Sequence, residues 1–470
     1  MRMHHAVAQR RAVRLVLGLC TLTATVALAQ VTDPGVRKAA TDGGAPPYLP
    51  SLSPEELVFY EDGIRRFEEV DVVSGASGNE GNGLGPRFNS DSCVSCHQQP
   101  YMGGSSPAVN PLFAVANSEG ASNHMPWFIT RNGPVREARF VQSNGAPDGG
   151  VHDLFVVTGR ADAGSCNIAQ PSFLPAGNPL TGQGGNPNVV FRIPTPTLGA
   201  GLIEAIPDSV ILANLIADRS AKRVMGVTGH PNTVLGGTVN RSANDGTITR
   251  FGWKAQNKSL LMFAGEAYNV EMGISNDLFP QERDETAACQ GGNSPNDSIN
   301  FPNAADPPSA TAVLSDVESF ALVMRMSAPP QPAAPTTSSV HGRQVFASVG
   351  CSLCHTPALR TGTVGPSVRG GAAVSNQTAQ LYSDLLVHHM GARLADGLTQ
   401  GAAGPDEFRT APLWGVGQRV FFLHDGRTSN IVQAIQLHAS QGSEANQVIL
   451  NFAALSPRDQ QDLINFLRSL

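Results

Sequence analysis

The pattern Cys-x-x-Cys-His occurs twice in the chain, at residues 93–97 and 351–355. It is typical of c-type haem attachment, in which two thiols add to the haem vinyl groups and the histidine binds iron. With 7 cysteines and 12 histidines in 470 residues, roughly 0.003 such patterns are expected by chance. Zinc is the alternative, but each motif offers only three ligands. The sequence therefore predicts two covalently bound haems, held by Cys93, Cys96, His97, Cys351, Cys354 and His355.

Two other cysteines, Cys166 and Cys289, belong to neither motif, and Cys20 lies in an N-terminal apolar run. In an exported protein, two spare cysteines favour a disulfide because the compartment is oxidising. The alternative is two separate buried thiols.

The N-terminus has the pattern of a secretory signal peptide over residues 1–29. Four arginines precede an apolar run from Leu15 to Leu28, and Ala27-Leu28-Ala29 is a cleavage pattern. Arg10-Arg11 resembles a twin-arginine signal, but that route carries folded proteins, whereas haem is attached after export. We therefore expect Sec export to a periplasm, followed by a disordered lead-in at residues 30–50. No later stretch is long enough for a membrane span.

Composition narrows the function further. The chain has 32 Lys+Arg and 38 Asp+Glu, so it lacks the basic charge that nucleic-acid binding requires. Its 49 glycines and 34 prolines indicate many loops. A length of 470 residues has room for two or three domains.

The elements expected around the first motif are helices and short strands. Ser53 is a predicted N-cap with Glu56 three residues on, which places a helix start at Pro54. Residues 101–250 contain short β-like runs between Gly, Pro and Asn turns. Helices are expected again at residues 208–217, 259–270 and 309–326.

A Pro-rich linker is predicted at residues 328–339. A helix through Gly342 and Phe346 then leads to Cys351, and a final helix follows Ser456. The predicted fold is mainly α and loop-rich, with two cytochrome c-like haem domains at residues 51–327 and 340–470. The first domain is expanded by a long insert with short β segments.

The chain also contains an internal similarity. Phe191-Arg-Ile-Pro-Thr-Pro-Thr-Leu-Gly199-Ala-Gly201 is similar to Phe408-Arg-Thr-Ala-Pro-Leu-Trp-Gly415-Val-Gly417, and each segment follows a haem motif. Duplication of one haem module explains both repeats; chance similarity of Gly/Pro-rich loops is the alternative.

Several motifs together resemble the di-haem oxidoreductases, a family of c-type peroxidases also called thiol-oxidoreductase-like. They are Gly83-Leu-Gly-Pro-Arg-Phe-Asn89 before the first haem motif, Gly201-Leu-Ile-Glu-Ala-Ile-Pro-Asp208, Phe251-Gly-Trp-Lys-Ala255, Glu271-Met-Gly-Ile274 and Phe422-Leu-His-Asp-Gly426. The likeness runs from about residue 50 to the end. Bacterial di-haem cytochrome c peroxidase and the di-haem enzyme that matures methylamine dehydrogenase are similar at a greater distance.

The resemblance implies roles for particular residues. In those relatives the N-terminal haem reacts, the C-terminal haem transfers electrons, and a Trp lies between them. Trp253 falls on that electron-relay position, and Glu271 falls on the position of an acid/base that assists O–O cleavage. Thr410 and Pro412 fall on positions whose carbonyls hold a structural Ca²⁺, an ion that prefers oxygen ligands.

The same comparison concerns the sixth ligands of the two irons. His438 lies in a segment similar to the helix where peroxidases place a distal ligand, which implies bis-His ligation of the C-terminal haem; Met390 is the alternative. His424 is expected to shape the pocket. No residue is well placed as a distal ligand of the N-terminal haem; His124 and His152 are the candidates, and both lie in predicted loops. An open iron position is therefore expected.

These observations predict a periplasmic di-haem oxidoreductase that acts as a peroxidase. Its expected partners are a small redox protein and a small-molecule oxidant or organic substrate. Two other functions stay open, an electron-transfer cytochrome without a substrate and an oxygenase acting on an organic molecule.

Overall fold

The computed structural model describes residues 31–38, 44–75, 81–173, 188–233, 248–284, 286–289, 295–299 and 309–470. The expected signal peptide at residues 1–29 lies outside these ranges. Within them, helices alternate with long irregular segments and short strands, so the mainly α, loop-rich class is confirmed. No helix in these ranges has both the length and the apolar character that crossing a membrane requires.

The helices are α1 (Pro54–Glu68), α2 (Cys93–Cys96), α3 (Leu112–Val115), α4 (Ala200–Glu204), α5 (Asp208–Ile216), α6 (Arg219–Met225), α7 (Leu260–Met272), α8 (Asp316–Met326), α9 (Thr337–Val349), α10 (Gly371–Val374), α11 (Ile431–Leu437), α12 (Asn446–Ala453) and α13 (Pro457–Ser469). The strands are β1 (Asp71–Val72), β2 (Gly81–Asn82), β3 (Arg87–Phe88), β4 (Glu137–Phe140), β5 (Gln142–Ser143), β6 (Ala146–Pro147), β7 (Val151–His152), β8 (Phe155–Val156), β9 (Val189–Arg192), β10 (Asn232–Thr233), β11 (Ile248–Thr249), β12 (Leu359–Arg360), β13 (Thr378–Ala379), β14 (Val387–His389) and β15 (Glu407–Arg409).

The first haem motif lies beside a crossing of α1 and α8. The Ser53 side chain and Glu56 form the predicted capping box that starts α1. At the crossing, a Cβ on Gly63 would stand only 2.8 Å from the carbonyl oxygen of Ser319, so glycine permits the close approach of the helices. One turn later, Phe67 contacts both His97 and Phe320 edge to face.

The second haem motif lies beside an equivalent crossing of α9 and α13. A Cβ on Gly342 would overlap the backbone of Asp462, so this crossing also requires glycine. One turn later, Phe346 contacts both His355 and Phe466. The same set of glycine, aromatic and histidine therefore recurs around both motifs.

The two similar sequence segments are also equivalent in space. Gly199 and Gly415 both have left-handed backbone, with φ of 72° and 71°, and each precedes a short helical segment. Two residues later, Gly201 packs on the backbone of α8 and Gly417 packs on the backbone of α13. This equivalence supports duplication rather than chance similarity.

The segment between α3 and α4 carries a small antiparallel sheet with β4 at its centre. β4 pairs with β9 on one side, with Glu137 opposite Arg192, and with β7 on the other, with Ala138 opposite His152. Cys166 and Cys289 form a disulfide, as the two spare cysteines predicted.

Two expected boundaries differ from the structure. α8 begins at Asp316 rather than near residue 309, because the Ser315 side chain caps its first turn. α9 begins at Thr337, inside the expected linker, and the Pro-rich segment packs against both halves of the chain: Ala328 N–H donates to Pro47 and Ala333 N–H to Ser469.

The expected disordered lead-in at residues 30–50 is also different where the structure describes it. Asp33 pairs with Arg468 at 2.7 Å, and the backbone N–H of Leu49 donates to Met326. These contacts to α13 and α8 fix a segment whose composition alone indicated disorder.

Candidate active site

The first cavity surrounds the motif at residues 93–97 and is open to solvent on one side. Cys93, Cys96 and His97 all line it. His97 Nδ1 lies 3.0 Å from the carbonyl oxygen of Gly104, which fixes the ring and leaves Nε2 for a metal. Burial lowers the pKa of His97 to about 4, so the ring is neutral at pH 7.

The second cavity surrounds the motif at residues 351–355. Cys351, Cys354 and His355 line it. His355 Nδ1 lies 3.0 Å from the carbonyl oxygen of Tyr382, the same arrangement as at His97. Burial lowers the pKa of His355 to about 4 as well.

The second cavity also contains His438, whose Nδ1 lies 2.8 Å from the carbonyl oxygen of Ala434. Its Nε2 thus stays available, as in His355. Met390 lines the cavity too and remains the alternative sulfur ligand. His388 is different, because both of its ring nitrogens face carboxylates, those of Glu444 at 2.8 Å and Asp384 at 3.0 Å.

The first cavity has another character. In the described ranges, His97 is the one histidine that lines it. His152 instead stacks on Phe140 and pairs with Asp148, and His124 lies outside the wall. The structure therefore places neither of these two loop histidines at the first motif.

Glu271, at the end of α7, lies in the wall of the first cavity. Asn89 Nδ2 donates to Glu271 Oε2 at 2.7 Å. Burial and the neighbouring charge of Glu137 raise the pKa of Glu271 well above its ordinary value. The carboxyl therefore keeps its proton to a higher pH than an ordinary glutamate does and can donate that proton into the cavity.

Sequence reasoning did not identify Glu137 and Arg139, which also line this cavity. Burial raises the pKa of Glu137, but its ion pair with Arg139, 2.5 Å from Nε to Oε1, outweighs burial and lowers that pKa below its ordinary value. The sequence does contain a signal for these two residues, because the alternation Glu137-Ala-Arg139 puts both charges on one face of a strand. The cavity thus combines a carboxyl whose pKa is raised with one whose pKa is lowered.

Trp253 lines both cavities. It is 9% exposed, and its indole Nε1 donates to the carbonyl oxygen of Ile193 at 2.9 Å. Its ring contacts His424 edge to face at 6.4 Å, and His424 stacks on Phe408 at 4.2 Å. The structure thus places Trp253 between the two motifs, and it places His424 in the wall of the second cavity.

Buried guanidinium groups in both walls, each with one nitrogen left without a partner among the described residues, fit the two propionate groups that haem carries. Within the described ranges, Arg192 Nε and Arg409 Nη1 are buried atoms without a hydrogen-bond partner. Arg192 lines the first cavity and Arg409 the second. Together with the thiols and the free Nε2 atoms, these guanidinium groups make both cavities suitable for haem.

The positions that imply calcium fit that ion poorly. The Thr410 carbonyl oxygen accepts a hydrogen bond from Ser383 Oγ at 2.6 Å. The Pro412 carbonyl oxygen faces the guanidinium of Arg419 at 3.4 Å. Since a cation already occupies that side, we assign no calcium here.

Comparison with solved structures finds weak similarity. Kuenenia stuttgartiensis hydrazine synthase is 18% identical to this chain. The match covers 35% of this chain and 57% of that one, with a TM-score of 0.22. The diheme peroxidase BthA from Burkholderia thailandensis is 14% identical, with 94% of each chain covered and a TM-score of 0.30. A MauG-like protein associated with microbial copper homeostasis is 14% identical over 65% of this chain and 95% of that one, with a TM-score of 0.26.

These TM-scores are too low to carry a conclusion, and no curated protein matches the chain significantly. Protein-family comparison is decisive, because residues 186–470, more than half of the chain, match one family. The chain belongs to the family described as "Di-haem oxidoreductase, putative peroxidase".

Proposed function

We propose that the protein is a periplasmic di-haem c-type oxidoreductase that reduces peroxide in the first cavity. The second cavity holds the haem that receives electrons from a small redox protein. The observation that carries this division is the difference between the cavities. Two histidines with anchored Nδ1 and free Nε2, His355 and His438, line the second, whereas His97 and a carboxyl pair line the first.

A haem held by Cys93, Cys96 and His97 would supply an iron position for peroxide in the first cavity. Reduction of hydrogen peroxide consumes two electrons and two protons and yields two water molecules. Glu271 supplies a proton to the leaving oxygen, and Asn89 holds the carboxyl in position at 2.7 Å. Arg139 keeps Glu137 ionised, so the pair retains one proton for this step.

Electrons travel between the cavities by way of Trp253, which belongs to both walls. Haem attachment is covalent, through Cys93 and Cys96 in the first cavity and Cys351 and Cys354 in the second. The signal-like residues 1–29 support export, since this attachment takes place after export.

One experiment separates this function from that of an electron carrier. Purified holoprotein, with two haem masses confirmed by intact mass spectrometry, is examined by EPR with and without cyanide. We expect one high-spin and one low-spin iron, with cyanide converting the high-spin signal alone, and oxidation of the high-spin site by peroxide. Two low-spin irons that ignore cyanide and peroxide would establish a carrier instead.

A further inference from the structure

We propose that Asp153 and Glu137 form a proton relay that leads from the protein surface at Arg283 to Glu271 in the first cavity. The relay rests on the proposed function, because peroxide reduction consumes protons inside a buried site. Its carboxyls come from β4, the turn after β7, and α7.

Strand pairing places the first two carboxyls side by side. β7 pairs with β4 so that His152 lies opposite Ala138 and Val151 opposite Arg139. Continuing this register by one residue puts Asp153 opposite Glu137. Directly opposed residues have Cβ atoms about 5 Å apart, so their carboxyls reach each other directly or through one water.

The next contact joins the sheet to the cavity. The carboxyls of Glu137 and Glu271 are neighbours whose pKa values affect each other, and both side chains line the cavity that holds His97. Asn89 connects Glu271 to the segment that contains Asp153. Its Nδ2 donates to Glu271, and its Oδ1 accepts from the backbone N–H of Leu154. The same amide thus positions the cavity carboxyl and the residue next to Asp153.

Asp153 is the outer carboxyl. It is 1% exposed, and in the described part of the chain its Oδ1 has no hydrogen-bond partner. Its Oδ2 lies 3.2 Å from Arg283 Nε, and the Arg283 side chain is 22% exposed. A buried carboxylate oxygen without a donor indicates a bound water or an exchangeable proton. Because Arg283 contacts both Asp153 and solvent, protons can enter beside its side chain.

The charges around the relay suit proton exchange. Burial raises the pKa of Asp153 to about 6, against the charges of Arg283 and Arg87 that face it. Arg139 on the same strand and Arg192 on β9 face Glu137 and hold it ionised.

Those charges allow a complete proton transfer. When Glu271 gives its proton to peroxide oxygen, Glu137 passes a proton to Glu271 after taking one from Asp153. Asp153 then takes a proton from water, so no net charge remains in the protein.

Asp153→Asn and Glu137→Gln keep size and hydrogen bonding but remove the titrating oxygen. We measure the single-turnover reaction of each holoprotein with hydrogen peroxide between about pH 5 and 8. Either variant should slow the reaction on the order of 10-fold or more at pH 7. The native rate should fall as pH rises through about 6, where Asp153 loses its proton, and Asp153→Asn should lack that step. Asp148→Asn, at a surface carboxylate paired with His152 near the same sheet, is the matched control and should keep the native profile.

Infrared difference spectra between oxidised and reduced holoprotein provide a second readout that needs no peroxide. Glu271→Gln identifies the band of the protonated cavity carboxyl. In a connected chain Asp153→Asn shifts that band, whereas Asp148→Asn leaves it unchanged. These spectra also serve as the decisive measurement if a variant's catalytic rate is altered by partial misfolding.

The outcomes separate the two proposals. If native protein ignores peroxide but Asp153→Asn shifts the Glu271 band, the relay stands and the peroxidase function fails. If native protein reduces peroxide and Asp153→Asn matches it in rate, pH profile and infrared band, the relay is wrong and the peroxidase function stands.

Discussion

His388 is bound to Glu444, with Nδ1 2.8 Å from Oε2, in the wall of the cavity that also contains His438. With Nε2 facing Asp384 at 3.0 Å, the His388 ring has both nitrogens engaged. His438 has one nitrogen engaged, by the Ala434 carbonyl at 2.8 Å. The two histidines therefore have different capacities to bind iron.

His438→Ala should convert the iron of the second cavity to high spin and raise its reduction potential, because loss of an imidazole ligand removes a strong donor. EPR and a redox titration of the holoprotein measure both changes. His388→Gln and Met390→Leu are the controls and should keep a low-spin iron. A high-spin iron in Met390→Leu, with His438→Ala unchanged, would move the ligand to Met390.

Glu444→Gln should lower the free energy of unfolding at pH 7 by roughly 3 kcal/mol, because it leaves a buried imidazolium with one fewer carboxylate. Burial raises the pKa of Glu444, but the bond and charge of His388 outweigh it and lower that pKa to about 2, from 4.5. The native contribution is therefore complete above pH 4.5 and declines as pH falls towards 2.

Denaturant unfolding of native and Glu444→Gln protein across this range measures the effect. The difference between them should shrink as the pH drops from 4.5. A difference that stays constant from pH 7 to 3 would mean that the glutamate acts through packing.

Trp253→Phe should preserve both haem spectra and the cyanide response while slowing electron transfer between the irons, since phenylalanine is much harder to oxidise than tryptophan. Flash reduction of the second iron, followed by the spectrum of the first, measures this step. Trp127→Phe is the control, because Trp127 is 48% exposed and lies outside both cavity walls. Equal rates in native and Trp253→Phe protein would exclude the relay role.

The disulfide should stabilise the insert. Cys166→Ser with Cys289→Ser should lower stability by about 2–5 kcal/mol, because the bridge joins residues separated by 123 positions. Thermal unfolding followed by circular dichroism checks the change, and native protein treated with a reductant should match the double variant. An unchanged midpoint in both samples would show that the bridge contributes nothing to stability.

Local sequence signals predicted much of this molecule. Capping residues located α1, the spare cysteines located the disulfide, and the two haem motifs located both cavities. Each of these signals lies in the residue types themselves or in a spacing of a few positions, and such patterns can be recognised without the fold.

Relationships that depend on strand pairing could not be predicted in the same way. Asp153 comes opposite Glu137 when the register of β4 and β7 is continued by one residue, and neither carboxyl belongs to a sequence motif. Similarly, Asp33 is ordered by Arg468, a partner at the other end of the chain. Composition near Asp33 could not reveal that contact.

Each cavity has one side that is built alike, by a helix crossing at Gly63 and Ser319 in the first and at Gly342 and Asp462 in the second. The other side differs between the two cavities. The helices at each crossing pack on the motif histidine, on His97 through Phe67 and on His355 through Phe346, and a Cβ at either glycine would push the helices apart. The residues that line the rest of each cavity come from the segment between the two crossing helices. Between α1 and α8 this segment is long and carries Glu137 and Glu271, whereas between α9 and α13 it is shorter and carries His438. Sequence changes confined to that segment are therefore sufficient to give the two copies different functions, which we propose are peroxide reduction in the first and electron transfer in the second.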